Sequence, residues 1–140
     1  MRIKNPNPIP REQYFSILST MPVVCVDIIG INITDGERRV LLVERSQNPL
    51  KGSLYTPGRG LGKNFFSREA VDKVIRSETG LELVSKRAFG FYEKMYNVGQ
   101  SDDVLNGLHN PCIAYRGLLE GNLRLDDTSS GFRWFSKEDL

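Results

Sequence analysis

The sequence predicts an α/β fold, one domain built on a mixed β-sheet with helices on both faces. Three observations carry that expectation. The chain is 140 residues and 15.9 kDa, the size of a single hydrophobic core. The segment Val23-Val24-Cys25-Val26-Asp27-Ile28-Ile29 is a continuous apolar, β-branched run, too short for a solitary core helix and suited to a central strand. Around it the pattern runs helix, hairpin, glycine-rich loop, capped helix and further strands, an order that buries a sheet between helices.

Residues 1–9, rich in Asn and Pro, read as an irregular arm, and residues 10–21 as an N-terminal helix. Pro10 suits the first helical position, Tyr14, Phe15, Leu18 and Met21 recur at helical spacing, and Pro22 ends the helix. After the central strand, Thr34-Asp35-Gly36-Glu37 is a turn leading into Arg39-Val40-Leu41-Leu42-Val43-Glu44-Arg45, which makes a hairpin. Residues 48–64 hold two prolines and four glycines and read as a long ordered loop, a feature that is usually functional inside a compact domain. The loop feeds a helix with Ser67 as N-cap, Glu69 in the first turn, an apolar face of Ala70, Val71, Val74 and Ile75, and Gly80 as the closing glycine. Strands follow at 86–96, 110–118 and 132–135. Ser136-Lys137-Glu138-Asp139 then opens another helix with a capping signature just as the sequence stops, which reads as a truncation.

Composition narrows the function classes. The net charge of +2 is spread through both signs, with 26% charged residues, so no basic stripe exists to bind nucleic acid despite a pI of 8.6. No apolar stretch approaches the roughly 20 residues that span a bilayer, and the N-terminus lacks a signal-peptide core, so a cytoplasmic protein without membrane partner is expected. Cys25 and Cys112 sit in strand-like runs without CxxC spacing and read as two reduced, buried thiols. His109 is the single histidine, which argues against a zinc site; beside Asn110-Pro111 it reads as a turn residue.

The loop and helix carry a resemblance. The 23 residues 58–80 fit the frame of the Nudix box: Gly58, Ala70, Glu78 and Gly80 match, and Lys73 stands in for its arginine. Phe65, Val74 and Ser77 stand where that family has glutamates. Further segments resemble one branch, the GDP-mannose mannosyl hydrolases: 14–29, Glu44-Arg45-Ser46-Gln47-Asn48-Pro49, 52–57, Lys63-Asn64 and Phe132-Arg133-Trp134. The branch itself lacks some box glutamates. The resemblance implies a single Nudix domain over 1–140, an α/β/α sandwich with a mixed β-sheet, and a homodimer in which the N-terminal helix packs on or swaps with its partner.

The residues add a chemical reading. Positions 74, 77 and 78 are spaced to share a helix face, where three glutamates would gather two or more Mg²⁺ ions and activate water for attack at phosphorus. With Glu78 alone, one Mg²⁺ needs the substrate's diphosphate to complete its shell, which favours a neutralised leaving group and attack at a sugar carbon. In the branch resembled, water displaces GDP from C1 of mannose with inversion. Carried over residue by residue, the resemblance makes the Gly58 carbonyl and Glu78 ligands of Mg²⁺, with Mn²⁺ as the alternative ion. Arg45 holds the diphosphate, the second arginine is displaced by one position to Arg59 or lost, Tyr14 contacts the nucleotide and Asp27 lies near the sugar. Arg45 and Glu78 are the catalytic candidates. The branch's Gln ligand and His base fall on Thr128 and Ser129, which can do neither job, and Asp126 or Asp127 substitutes for the base only if its loop bends differently.

Structural readings stand beside these. Glu78 could be a solvated helix residue, Arg45 an exposed strand end, and Asp27, if buried, needs a partner such as a loop hydrogen bond. Tyr14 and Phe15 suit core or dimer packing as well as stacking. Two readings compete with the sugar-releasing hydrolase: a diphosphatase acting at phosphorus, and a non-catalytic Nudix domain that binds a nucleotide-sugar.

Overall fold

The structure is a computed structural model, and it describes residues 9–99 and 101–139. Most of the expected N-terminal arm lies outside the described residues. The elements are α1 (Arg11–Thr20), β1 (Cys25–Thr34), β2 (Glu37–Arg45), β3 (Leu54–Tyr55), β4 (Gly58–Gly60), α2 (Ser67–Thr79), β5 (Glu82–Tyr96), β6 (Leu108–Glu120), β7 (Ser129–Phe135) and a short 3₁₀ turn, Lys137–Asp139.

The seven strands form one mixed sheet in the order β3-β2-β1-β6-β5, with β4 on β1 and β7 on β2. Its parallel pair is β1 with β6, and β1–β2, β2–β7 and β5–β6 are antiparallel. The β1–β2 hairpin turns on Asp35 (φ 52°) and Gly36 (φ 76°), the two successive positive φ values of a tight primed turn. Val26 and Ile28 of β1, Leu41 and Val43 of β2, and the apolar face of α2 (Ala70, Val71, Val74, Ile75) make the main core with Leu81, Leu83, Tyr115 and Leu119. Gly80 closes α2 at φ 70°, and its N–H returns to the Arg76 carbonyl at 2.9 Å. At the other end of the sheet Leu18 of α1 meets Val104 and Leu108, flanked by Tyr14, Phe15, Val23 and Tyr96.

Several local expectations are corrected. Segment 48–64 is not all loop: β3 adds to β2, and β4 adds to β1 through Cys25↔Gly60, Val26↔Arg59 and Asp27↔Gly58. Phe66, not Ser67, caps α2 in extended backbone without a side-chain bond, while the Ser67 hydroxyl is bonded to the Tyr115 hydroxyl at 2.7 Å, a tertiary partner that outcompetes the local one. Met21 points to solvent at 59% exposure because the helix ends at Thr20 and the chain extends from there. His109 lies in β6 rather than a turn, with Nε2 3.0 Å from Glu93 Oε1. Both cysteines are free thiols, Cys112 buried and Cys25 partly so, in register across β1 and β6.

Candidate active site

A strand puts alternate residues on opposite faces. Val26 and Ile28 face the α2 core, so Asp27 faces the other way, into a cleft of about 200 Å³. All six candidate residues, Tyr14, Asp27, Arg45, Gly58, Arg59 and Glu78, line this cleft. They come from five elements, α1, β1, β2, β4 and α2, and span 65 positions of sequence. Thr128 and Ser129 line it as well.

Gly58 is fixed by close approach. A Cβ there would lie 2.2 Å from Asp27 Oδ1 and 2.6 Å from the Val26 carbonyl, so any side chain would push β4 off β1. Glu78, in the last turn of α2, is 5% exposed. Its carboxyl is pushed up to about 7, chiefly by burial, with Asp126 adding to the rise and Arg59 and a Gly58 backbone hydrogen bond opposing it. Arg59 Nη2 lies 3.2 Å from Glu78 Oε1 and 3.7 Å from Asp126 Oδ2, one guanidinium between two carboxylates. Asp126 belongs to the loop before β7, which is tied to α2 by the Asp126 N–H on the Glu78 carbonyl at 3.2 Å. Arg45 is braced by its Nε on the Pro49 carbonyl at 2.7 Å and lies 5.5 Å from the Tyr55 ring centroid.

The positions that depart from the Nudix box scatter. Val74 is packed in the core and Ser77 is exposed, so positions 74, 77 and 78 straddle the edge of a face instead of sharing it. Phe65 packs on the core with the Lys73 ammonium 4.9 Å from its ring. Among the described residues no three His, Cys, Asp or Glu side chains converge as a metal-ligand group. The donor set present is one buried carboxylate that already takes a cationic partner. That fits Mg²⁺ as it is commonly held, by one or two carboxylates plus substrate phosphates, provided Arg59 moves onto those phosphates.

Sequence reasoning missed the opposite wall. Tyr92, Lys94 and Tyr96 alternate along β5; Lys94 and Tyr96 line the cleft, and Tyr92 reaches Asp27. Asp27, 2% exposed, accepts on Oδ2 from the Tyr92 hydroxyl and from Lys94 Nζ, the latter at 2.9 Å. Burial works against the Lys94 charge, but Tyr55 and Asp27 overcome it and hold the ammonium above the ordinary lysine value. Burial and the Asp27 charge together push the Tyr92 phenol far above its usual range, and burial pushes the Cys25 thiol up to about 12. The usable signal was Asp27 itself: an aspartate inside a buried strand requires a cation.

The mixed sheet with its β4–α2 unit, Gly58 and Glu78 lining one cleft, has the architecture of a Nudix domain. The chain belongs to that family: the NUDIX domain model matches residues 24–140. It is 26% identical over 128 residues to the low-salt glycan biosynthesis protein Agl8 of Haloferax volcanii, covering 91% of this chain and 79% of that protein. It is also 35% identical over 71 residues to an ADP-ribose pyrophosphatase of Methanocaldococcus jannaschii, covering 51% of this chain and 40% of that protein. In fold it is similar to the MutT NUDIX hydrolase of Burkholderia pseudomallei, with a TM-score of 0.71 and 24% identity over 86% of this chain and 87% of that one. No helix among the described residues is long and apolar enough to cross a membrane.

Proposed function

We propose that the chain is a Mg²⁺-dependent hydrolase of a nucleotide-sugar, GDP-mannose or a similar compound, releasing the sugar by attack of water at the anomeric carbon. The observation that carries this reading is the meeting in one cleft of Arg45, Arg59, Gly58 and Glu78 with a wall of Tyr55, Lys94 and Tyr96. Two guanidinium groups suit a diphosphate, and a tyrosine-rich polar wall suits a sugar. The glycan role in the name of the Haloferax relative points the same way.

In this reading Arg45 and Arg59 hold the diphosphate through charge-assisted hydrogen bonds, Arg59 leaving Glu78 to do so. Glu78 and the Gly58 carbonyl would then hold Mg²⁺, or Mn²⁺ in its place, an ion that would supply charge neutralisation to the departing diphosphate. Tyr14 packs against the nucleotide. A water oxygen bonds to the anomeric carbon as the carbon–oxygen bond to the diphosphate breaks. The proton released by that water passes to solvent, Thr128 and Ser129 standing where the branch resembled has its ligand and base. A homodimer and a cytoplasmic location belong to the same proposal.

Free mannose and GDP released from GDP-mannose, with and without Mg²⁺, test the reading. Metal-dependent release that Glu78→Gln abolishes supports it, and saturable binding without release overturns it in favour of a binding module. That second reading has its own observation, since Thr128 and Ser129 line the cleft where the branch resembled has a metal ligand and a base. Attack at phosphorus is separated by oxygen-18 from water, which enters the sugar in the first case and the phosphate in the other.

A further inference from the structure

We infer that Lys94 is the residue that reads the sugar of a nucleotide-sugar, and that Asp27 serves as its positioning residue rather than as a sugar contact. The inference rests on the proposed ligand class, not on turnover.

The Asp27 carboxylate is walled in on one oxygen and bonded on the other. Oδ1 abuts Gly58 so closely that a Cβ there would lie 2.2 Å away, and Oδ2 accepts from Tyr92 and Lys94. At 2% exposure the carboxylate has little surface to offer a ligand. Lys94 differs: its side chain is 15% exposed, lines the cleft, and carries three N–H donors, one on Asp27 and one on the Tyr55 hydroxyl, with the Cys112 thiol beside it. Its ammonium lies 4.7 Å from the Tyr55 ring centroid, and the Tyr96 hydroxyl donates to the Tyr55 hydroxyl at 3.4 Å.

The charge pattern divides the cleft. Lys94 is matched by Asp27, so that end is an ion pair with no net charge, while Arg59 lies beside Glu78 and Arg45 is held by the Pro49 carbonyl near the Tyr55 ring. A diphosphate is drawn to Arg45, and to Arg59 as it leaves its carboxylates. A neutral ring with several hydroxyls suits the other end, because its hydroxyls accept from an ammonium while its C–H face rests on tyrosine. Asn110, opposite Lys94 in the β5–β6 register, lines the same end.

The test is binding, read as the affinity difference between each nucleotide-sugar and its parent nucleoside diphosphate. GDP-mannose against GDP, UDP-glucose against UDP and ADP-ribose against ADP are the probes. In the wild type at least one pair is expected to show a sugar increment. Lys94→Met should erase that increment, a loss of about tenfold, and leave nucleoside diphosphate affinity within about twofold. Asp27→Asn should do the same more weakly, with Lys94 retained but unanchored. Because Lys94→Met leaves Asp27 buried without its cation, the Asp27→Asn/Lys94→Met double variant restores neutrality and should also lack the increment. Equal loss for nucleotide-sugars and nucleoside diphosphates overturns the inference, as does an unchanged increment or none in the wild type. A sugar increment lost in Lys94→Met without any release of free sugar upholds the inference while the hydrolase reading falls.

Discussion

At the scale of single residues, the cleft is built from groups whose ordinary solution behaviour has been displaced by burial. Glu78 shows it best. Its carboxyl loses a proton at about 7 in the fold, against an ordinary value of 4.5. Between these values the native state binds more protons than the unfolded chain, so stability falls as pH rises through that window and levels off above it. The expected loss is about 3 kcal/mol, and urea unfolding from pH 4 to 8 measures it. Glu78→Gln should flatten the profile and raise stability at pH 8 relative to wild type; an unchanged slope would refute this account. Gly58 sets a second expectation. Gly58→Ala meets Asp27 and the Val26 carbonyl at impossible distances, and the backbone must shift to admit it. A destabilisation of about 1–3 kcal/mol by denaturant titration, with nucleotide affinity lost in parallel, should follow.

At the scale of elements, α2 divides its residues between core and cleft within one turn. Val74 is buried among Leu41, Val71 and Ile75 in the main core, whereas Glu78 opens to the cleft. Restoring the family's glutamate by Val74→Glu should therefore not build a second metal site. A carboxylate placed in that core lacks a partner, and a loss of about 3 kcal/mol or more in urea unfolding is expected, with no gain in Mg²⁺ affinity. The short strands tell a related story. The proline and glycine content of 48–64 announced a functional loop, but β3 and β4 exist only because β2 and β1 offer them open edges. Lone two- and three-residue segments carry no periodicity for a sequence reading to detect.

At the scale of the whole molecule, the cleft draws on α1, the sheet and α2, so ligand binding should couple to global unfolding. Saturation with Mg²⁺ and a nucleotide-sugar at one hundred times its dissociation constant should stabilise the wild type by about 2.7 kcal/mol. Glu78→Gln should lose the Mg²⁺-dependent part of the thermal shift and keep the part owed to the arginines. A shift independent of Mg²⁺ in the wild type would remove the metal from the account.

The sequence by itself determined a great deal. The apolar run of β1, the Asp-Gly turn, the capped α2 ending at Gly80 and the frame of residues 58–80 are local features, written in neighbouring side chains and backbone preferences. From them came the α/β class, the Nudix resemblance and six residues that share one cleft. Only the tertiary structure decided which group answers which. Asp27 and Lys94 are 67 residues apart, and they meet because the register of β1 on β6 and of β6 on β5 carries one to the other. Arg59 meets Glu78 and Asp126 for the same kind of reason, through β4 on β1 and the loop before β7 folded back on α2. Pairing across a sheet depends on register between distant segments. No local pattern encodes it, so the partners of a buried charge appear only when the sheet is assembled.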